Sequence, residues 1–160
     1  MTLLNATSFI ALLSTGLLAG IFFGNRMGTS FALPTIPVSS FVQFQQTIHK
    51  KYVRFMPPLQ IIAILSSLIW LYLLRFSLSA PGFIMLAVAA AGIIIVFAIT
   101  LTVNVPINKK LMTWSPANPP GNASEIWKPW EKGNTARTVL TLVVFVLQVL
   151  AINLPTPTSF

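Results

Sequence analysis

The sequence contains no cysteine, no aspartate, two glutamates and a single histidine. Without cysteine the chain has no disulfides, thiolate metal ligands or iron–sulfur clusters, and no thiol redox catalysis. One histidine and two glutamates do not readily build a metal site, which needs three or four nitrogen, sulfur or oxygen ligands. Glycine-rich phosphate loops and dinucleotide fingerprints are also missing. An enzyme of this composition is therefore expected to work without a tightly bound metal or redox cofactor.

Charge is scarce as well. Charged residues make up 8% of the 160 residues and hydrophobic residues make up 55%, whereas a soluble domain carries about 25% charged residues. The net charge of +8 comes from ten Lys and Arg on an apolar chain, not from a basic face that would bind nucleic acid. The composition excludes an ordinary cytosolic enzyme and a disordered chain. It indicates an integral membrane protein.

Four apolar stretches are long enough to cross about 30 Å of hydrocarbon as helices. Each is expected to be helical, because lipid offers no hydrogen-bond partners to free backbone groups. The predicted fold is therefore an all-α, integral membrane four-helix bundle that forms a single domain over residues 1–160. The four predicted spans are residues 7–24, 59–76, 82–103 and 138–154.

Basic residues concentrate in the first and third loops. The positive-inside rule predicts that these two loops are cytoplasmic and that both termini are lumenal or extracellular, in an endomembrane such as the endoplasmic reticulum if the cell is eukaryotic. The first loop also contains a predicted helix from Ser40 to Met56, which would lie at the membrane interface or fold back on the bundle. The basic residues of these loops are Arg26, Lys50, Lys51, Arg54, Lys109, Lys110, Lys128 and Lys132. Lys50, Lys51, Lys109 and Lys110 also suit contacts with lipid headgroups.

The same two loops hold most of the polar and aromatic residues that chemistry would need. Amides near lipid need a hydrogen-bond partner. The fourth helix is expected to begin at Asn134, which places Arg137 one turn inside it. There the arginine either snorkels to the membrane surface or meets an anion. Each residue also has a purely structural explanation: tryptophans anchor membrane interfaces, Asn134 can cap a helix, and His49 can be a satisfied polar group. The candidates are Gln45, His49 and Tyr52 on one face of the loop helix, Asn104 and Asn108 around Pro106, and Trp114, Trp127 and Trp130.

The order of these elements resembles the anthrone oxygenase-like family of small four-span membrane proteins, from about residue 16 to about residue 150. The resemblance implies the four-span fold and the oxidation of an anthrone-like or related polycyclic phenol by O2 in polyketide or other secondary metabolism. Many members of the family have no known function, so membership supports the fold more strongly than the activity. The matching elements are Phe41-Val42-Gln43-Phe44-Gln45-Gln46, His49, Met56-Pro57, Asn104-Val105-Pro106-Ile107-Asn108, Trp127-x-x-Trp130 and Asn134-x-x-Arg137.

The reaction implied by the resemblance suits the residues present. Removing the acidic CH proton of an anthrone gives an electron-rich anthranolate, which can pass an electron to O2 without a metal or flavin. The protein must then supply a base, for which His49 is the best choice because imidazole titrates near neutral pH. It must also stabilise the enolate oxygen, with Arg137 and Asn108 as the catalytic candidates. The expected substrate-binding residues, including aromatic rings that stack on the substrate, are Gln45, Tyr52, Asn104, Trp114, Trp127, Trp130 and Asn134.

Three alternatives remain open. The first is a non-oxidative cyclase or isomerase using His49 and Arg137 for acid–base work, which would consume no oxygen. The second is a non-enzymatic tetraspan scaffold or lipid-binding protein, in which the polar residues would disperse instead of converging. A haem protein with His49 as the single ligand is the third and most distant. The expected partners are an apolar aromatic substrate, O2 and membrane lipid, without nucleic acid, and a homo-oligomer is compatible with all of these.

Overall fold

The computed structural model describes residues 2–76 and 80–154, which are almost entirely helical. No β-strand occurs within these two ranges. Two π-helical turns, Asn25–Thr29 and Thr100–Asn104, and a 3₁₀ turn, Leu33–Thr35, interrupt the helices. The α-helices are α1 (Leu3–Gly24), α2 (Ser30–Ala32), α3 (Val38–Leu74), α4 (Ala80–Ile99), α5 (Val105–Leu111) and α6 (Ala123–Ile152).

The four long helices form an up-and-down bundle. Helix α1 packs against α3 and α6, and α4 packs against the same two helices, so the four close into a ring. Four helical segments are long and apolar enough to cross a membrane. The predicted all-α membrane four-helix fold is confirmed. In such a bundle the α1–α3 and α4–α6 connections meet at one end, called the loop end below.

The helix predicted from Ser40 to Met56 is present, but it is the first half of α3 and runs directly into the second span. Pro57 and Pro58 lie inside α3 without ending it. Each proline removes one backbone donor, and the carbonyls left without it belong to Val53 and Arg54, four residues earlier. Both of those residues are exposed, so water or lipid headgroups can satisfy them. With 37 residues, α3 is about 55 Å long and extends beyond the hydrocarbon.

The fourth helix begins at Ala123, three turns before the predicted start at Asn134. The prediction was wrong because the segment before Asn134 is polar and contains Pro129, yet it has one apolar helical face. Ala123, Trp127 and Trp130 lie on that face and are buried, as is Asn134 further along it. Burial of this face stabilises the first turns of α6 despite the proline. Trp127 and Trp130 therefore lie on a helix and not in a loop.

Helices α4 and α6 approach closely at Gly92. A Cβ atom at this position would lie 2.6 Å from Cγ2 of Val144, and the stiff β-branched valine cannot easily move aside. We expect Gly92→Ala to destabilise the protein by about 1–3 kcal/mol through overpacking. Unfolding in mixed detergent–SDS micelles, followed by far-UV circular dichroism, measures the change.

Gly20→Ala is the matched control, because no atom lies within 4 Å of a Cβ at Gly20. Alanine is the better helix former by about 1 kcal/mol, so this variant should be as stable as the wild type or more stable. Equal stability of the Gly92 and Gly20 variants would contradict the close α4–α6 contact.

Candidate functional site

Arg137 is buried in the interior of the bundle near the loop end. Its side chain is 5% exposed, and it projects from α6 toward the π-helical turn Thr100–Asn104. The guanidinium donates to Oγ1 of Thr100 over 3.3 Å and to Oδ1 of Asn134 over 3.2 Å. Its central carbon lies 4.6 Å from the ring centroid of Phe22 and 5.7 Å from that of Trp130. Arg137 is therefore held by neutral polar groups and aromatic rings.

In the part of the chain that the structure describes, no carboxylate pairs with Arg137. The ion pair between Arg26 and Glu131, with 4.0 Å between nitrogen and oxygen, is the only one among residues 2–76 and 80–154. The Nε atom of Arg137 is also buried without a hydrogen-bond partner in those residues. A buried, uncompensated cation is costly. The arrangement therefore favours an anion or a strongly polarised oxygen beside the guanidinium.

Thr100 connects Arg137 to α3. Its hydroxyl accepts from Nε2 of Gln60 over 3.3 Å as well as from Arg137, and donates to the carbonyl of Val96 over 2.9 Å. Thr100 begins the π-helical turn that precedes Pro106. Wider turns of this kind often occur at functional sites, because they redirect side chains within a helix. The turn here holds the Thr100 hydroxyl against the guanidinium.

A cavity of about 170 Å³ adjoins this network, and we call it the Arg137 cavity. Helices α3, α5 and α6, the last turn of α1 and the Thr100–Asn104 turn all contribute to its wall. Val53 and Leu101 are about half exposed, so the mouth lies between α3 and this turn. The lining residues are Ile21, Phe22, Asn25, His49, Tyr52, Val53, Met56, Pro57, Gln60, Phe97, Thr100, Leu101, Val105, Asn108, Trp130 and Arg137.

Five of the residues predicted from the sequence meet in this cavity. All three catalytic candidates line it, and so do two of the substrate-binding candidates. They come from α3, α5 and α6, so the bundle brings together side chains that are up to 88 positions apart (137 minus 49). These five residues are His49, Tyr52, Asn108, Trp130 and Arg137.

Asn104 and Asn134 lie behind the cavity wall and not on it. Asn104 is buried and donates from Nδ2 to the carbonyl of Trp130 over 3.1 Å. Gly133 makes room for this amide, since a Cβ there would lie 2.9 Å from its Oδ1. Asn134 accepts from Arg137. In the structure both amides hold the residues that line the cavity.

Gln45, Trp114 and Trp127 are elsewhere. All three are buried but do not line the Arg137 cavity. Trp114 and Trp127 belong to an apolar cluster at the loop end that also includes Leu33 and Phe41. The two tryptophans therefore pack the connections together, with Trp127 in edge contact with Phe41 at 5.2 Å between ring centroids.

Sequence reasoning missed Asn25, Gln60 and Thr100, which all line the cavity. Gln60 had a usable signal, because an amide within an otherwise apolar span needs a polar partner. Thr100 had none, since threonine is ordinary in membrane helices. Across the described residues, no three His, Cys, Asp or Glu side chains form a group that could hold a metal ion.

Comparison with known families identifies the family of this chain. A family model described as anthrone oxygenase matches residues 44–147, which include His49, Asn108, Trp130 and Arg137. Neither a curated protein nor a solved structure matches the chain significantly.

Proposed function

The chain belongs to the anthrone oxygenase family, and from this premise we propose that it oxidises an anthrone-like or related polycyclic phenolic substrate with O2. The family membership supports an oxygenase-like function at the level of the family. The substrate class, the independence from metals and redox cofactors, and a place in polyketide or other secondary metabolism are part of the proposal.

The observation that carries the proposal is the buried Arg137 guanidinium, which lines a cavity and has no acidic partner in the described residues. An anthrone becomes an anion when it loses its CH proton, and the charge collects on the ketone oxygen. A guanidinium fixed in a weakly polar site stabilises such an oxyanion strongly. The groups of the site already point the right way, so they do not have to reorient when the negative charge develops. Hydrogen bonds to Thr100 and Asn134 hold the guanidinium in place.

His49 and Asn108 complete the proposed chemistry. His49 is half buried on α3 and lines the cavity, so its imidazole can take the CH proton and remain accessible to water. The Asn108 amide is a second donor for the developing enolate oxygen. Tyr52 and Trp130 contribute aromatic wall to the same cavity.

The proposed reaction balances without a further reactant. His49 removes one proton from the CH2 carbon, and the resulting anthranolate transfers an electron to O2. The substrate radical and superoxide combine into a C–O bond, and the resulting peroxide anion takes the proton back from His49 to give a hydroperoxide at that carbon. Loss of the second hydrogen as a proton, with cleavage of the O–O bond, leaves a quinone carbonyl and one molecule of water. O2 is reduced and the carbon is oxidised, and His49 is left in its neutral form.

Access from the membrane fits an apolar substrate. The cavity of about 170 Å³ is smaller than the roughly 300–1,000 Å³ of sites that enclose drug-sized ligands. We therefore propose that the central ring, which carries the ketone and the reacting CH2, lies beside Arg137 while one outer ring extends through the mouth at Val53 and Leu101. The flexible side chain of Met56 also lines the cavity and can yield to a flat ring. The basic loops support placing this end of the bundle on the cytoplasmic side.

Purified protein in lipid nanodiscs, analysed for metals, tests the proposal. Anthrone is supplied in air, and O2 consumption is measured together with the absorbance of anthraquinone. We expect one O2 consumed per quinone formed, at a rate well above that of empty nanodiscs and unaffected by a metal chelator. Turnover of an added polycyclic substrate without O2 consumption would favour the cyclase or isomerase. A rate equal to that of empty nanodiscs would contradict the proposed oxidation.

A further inference from the structure

A second cavity lies at the loop end, and the proposed oxidation does not use it. Its volume is about 440 Å³, within the range of about 300–1,000 Å³ typical of small-molecule sites. Trp127 lines this cavity and Trp130 lines the Arg137 cavity. The two indoles stack with centroids 4.3 Å apart and planes 18° from parallel. The stacked pair therefore stands between two separate cavities.

The wall of the second cavity is mainly apolar, and its charged residues are mainly basic. Leu33, Ile36 and Phe41 supply apolar surface. Lys128 and Lys132 line the cavity from α6, where they lie one helical turn apart and are exposed. We call this space the Lys128 cavity.

The one carboxylate in this wall is partly engaged, because its Oε2 is buried without a hydrogen-bond partner in the described residues. Glu131 accepts from Nε1 of Trp127 over 2.9 Å and pairs with Arg26 at 4.0 Å. Neither Lys128 nor Lys132 forms an ion pair with any residue that the structure describes. The two lysines therefore leave an excess of positive charge beside an apolar cavity, which favours an anionic group there.

Two further groups in the wall suit an anionic oxygen. The first turn of α6, at Ala123 and Ser124, forms part of the wall, and no side chain caps this helix. The N–H groups of Ala123 and Glu125 already donate to the carbonyls of Pro120 and Asn122, so at this helix start it is the N–H of Ser124 that is left to attract an anion. Ser30, only 7% exposed, also lines the cavity, and its hydroxyl has no hydrogen-bond partner in the described residues. A buried hydroxyl without a partner is costly and can be satisfied by a ligand.

We propose that the Lys128 cavity binds an anionic amphiphile. Its apolar body lies against Leu33, Ile36 and Phe41, and its acidic group lies at Lys128 and Lys132. An anionic membrane lipid and an acidic aromatic molecule share this chemistry. The site is independent of the oxidation proposed above, because it lies beyond the Trp127–Trp130 stack and is assayed by binding alone.

Two pairs of probes, measured in phosphatidylcholine nanodiscs, distinguish a site for anionic lipid from a site for acidic aromatic molecules. Native mass spectrometry measures retention of phosphatidylglycerol relative to phosphatidylcholine. Fluorescence titration measures binding of 8-anilinonaphthalene-1-sulfonate relative to its neutral analogue N-phenyl-1-naphthylamine. We expect the wild type to prefer the anionic member of at least one pair. Preference for phosphatidylglycerol alone identifies a lipid site, and preference for the sulfonate alone identifies a site for acidic aromatic molecules.

Two variants assign the preference to the cavity. The double variant K128A/K132A should weaken binding of the preferred probe about tenfold. Its matched control K109A/K110A removes the same charge from exposed lysines of α5, outside the cavity, and should change binding less than about twofold. Val38→Trp, at a position that lines the cavity but is exposed, should reduce binding with every lysine retained.

Three results would overturn the proposal. The first is no preference for either anionic probe. The second is equal weakening by K128A/K132A and K109A/K110A, which would mean that only the total charge matters. The third is unchanged binding in Val38→Trp, which would mean that the probe binds outside the cavity.

Discussion

Arg137→Met should lower kcat for anthrone oxidation by about 10²–10³, the loss typical of removing one donor to an oxyanion. Methionine has a similar length and no charge, so it takes away the stabilisation of the enolate oxygen and little of the volume. Arg137 has no acidic partner among the described residues, so no buried carboxylate is left behind. The acceptor left without its donor is Oδ1 of Asn134, at a cost of about 1–3 kcal/mol. We therefore expect a folded protein that is nearly inactive.

Arg75→Met is the matched control, because Arg75 is exposed and lies at the end of the bundle away from the cavity. This variant should oxidise anthrone at the wild-type rate, and size-exclusion chromatography should show both variants folded. Arg137→Lys keeps the charge and loses the planar fork, so its rate should fall between those of the wild type and Arg137→Met. Oxidation by folded Arg137→Met within about threefold of the wild type would remove Arg137 from the mechanism.

Much of the fold could be predicted because the bilayer restricts the secondary structure that a chain can adopt inside it. A stretch such as residues 82–103 has to be helical in a membrane, and four successive spans place the first and third connections at the same end of a bundle. The ends of the helices were harder to predict. Pro57 and Pro58 predicted that the loop helix would end or kink before the second span, and the structure shows that it does not end there, because membrane helices tolerate a proline whose freed carbonyls find other partners.

The site was predictable where residue chemistry was unusual for its surroundings. Arg137 and Asn108 are conspicuous near apolar spans, and both line the Arg137 cavity. The tryptophans show the limit of this reasoning. Trp127 and Trp130 are three residues apart, yet only Trp130 lines that cavity, while Trp127 lines the Lys128 cavity. The side of the stack that each ring occupies depends on how α6 packs against α3 and α1, and spacing along one helix does not contain that information.

His49→Gln tests the proposed proton transfer. Glutamine keeps a polar side chain of similar size but takes up no proton at neutral pH, so we expect kcat to fall by about 10²–10⁴. Lys50→Gln is the matched control, since Lys50 is the exposed neighbour on α3 and does not line the cavity. It should oxidise anthrone at the wild-type rate in the same O2 assay.

A catalytic base can be replaced by a base from solution, whereas a residue with a purely structural role cannot. Hydroxide also deprotonates an anthrone, so the His49→Gln variant should recover relative to the wild type as the pH rises, and added imidazole should accelerate it. Deuterium at the reacting CH2 carbon should slow this variant more than the wild type, because proton removal then limits its rate. Arg137→Met should not respond to imidazole, since it retains the base and lacks the stabilised enolate. A His49→Gln variant that neither recovers with pH nor responds to imidazole would assign His49 to structure and leave the oxidation without a protein base.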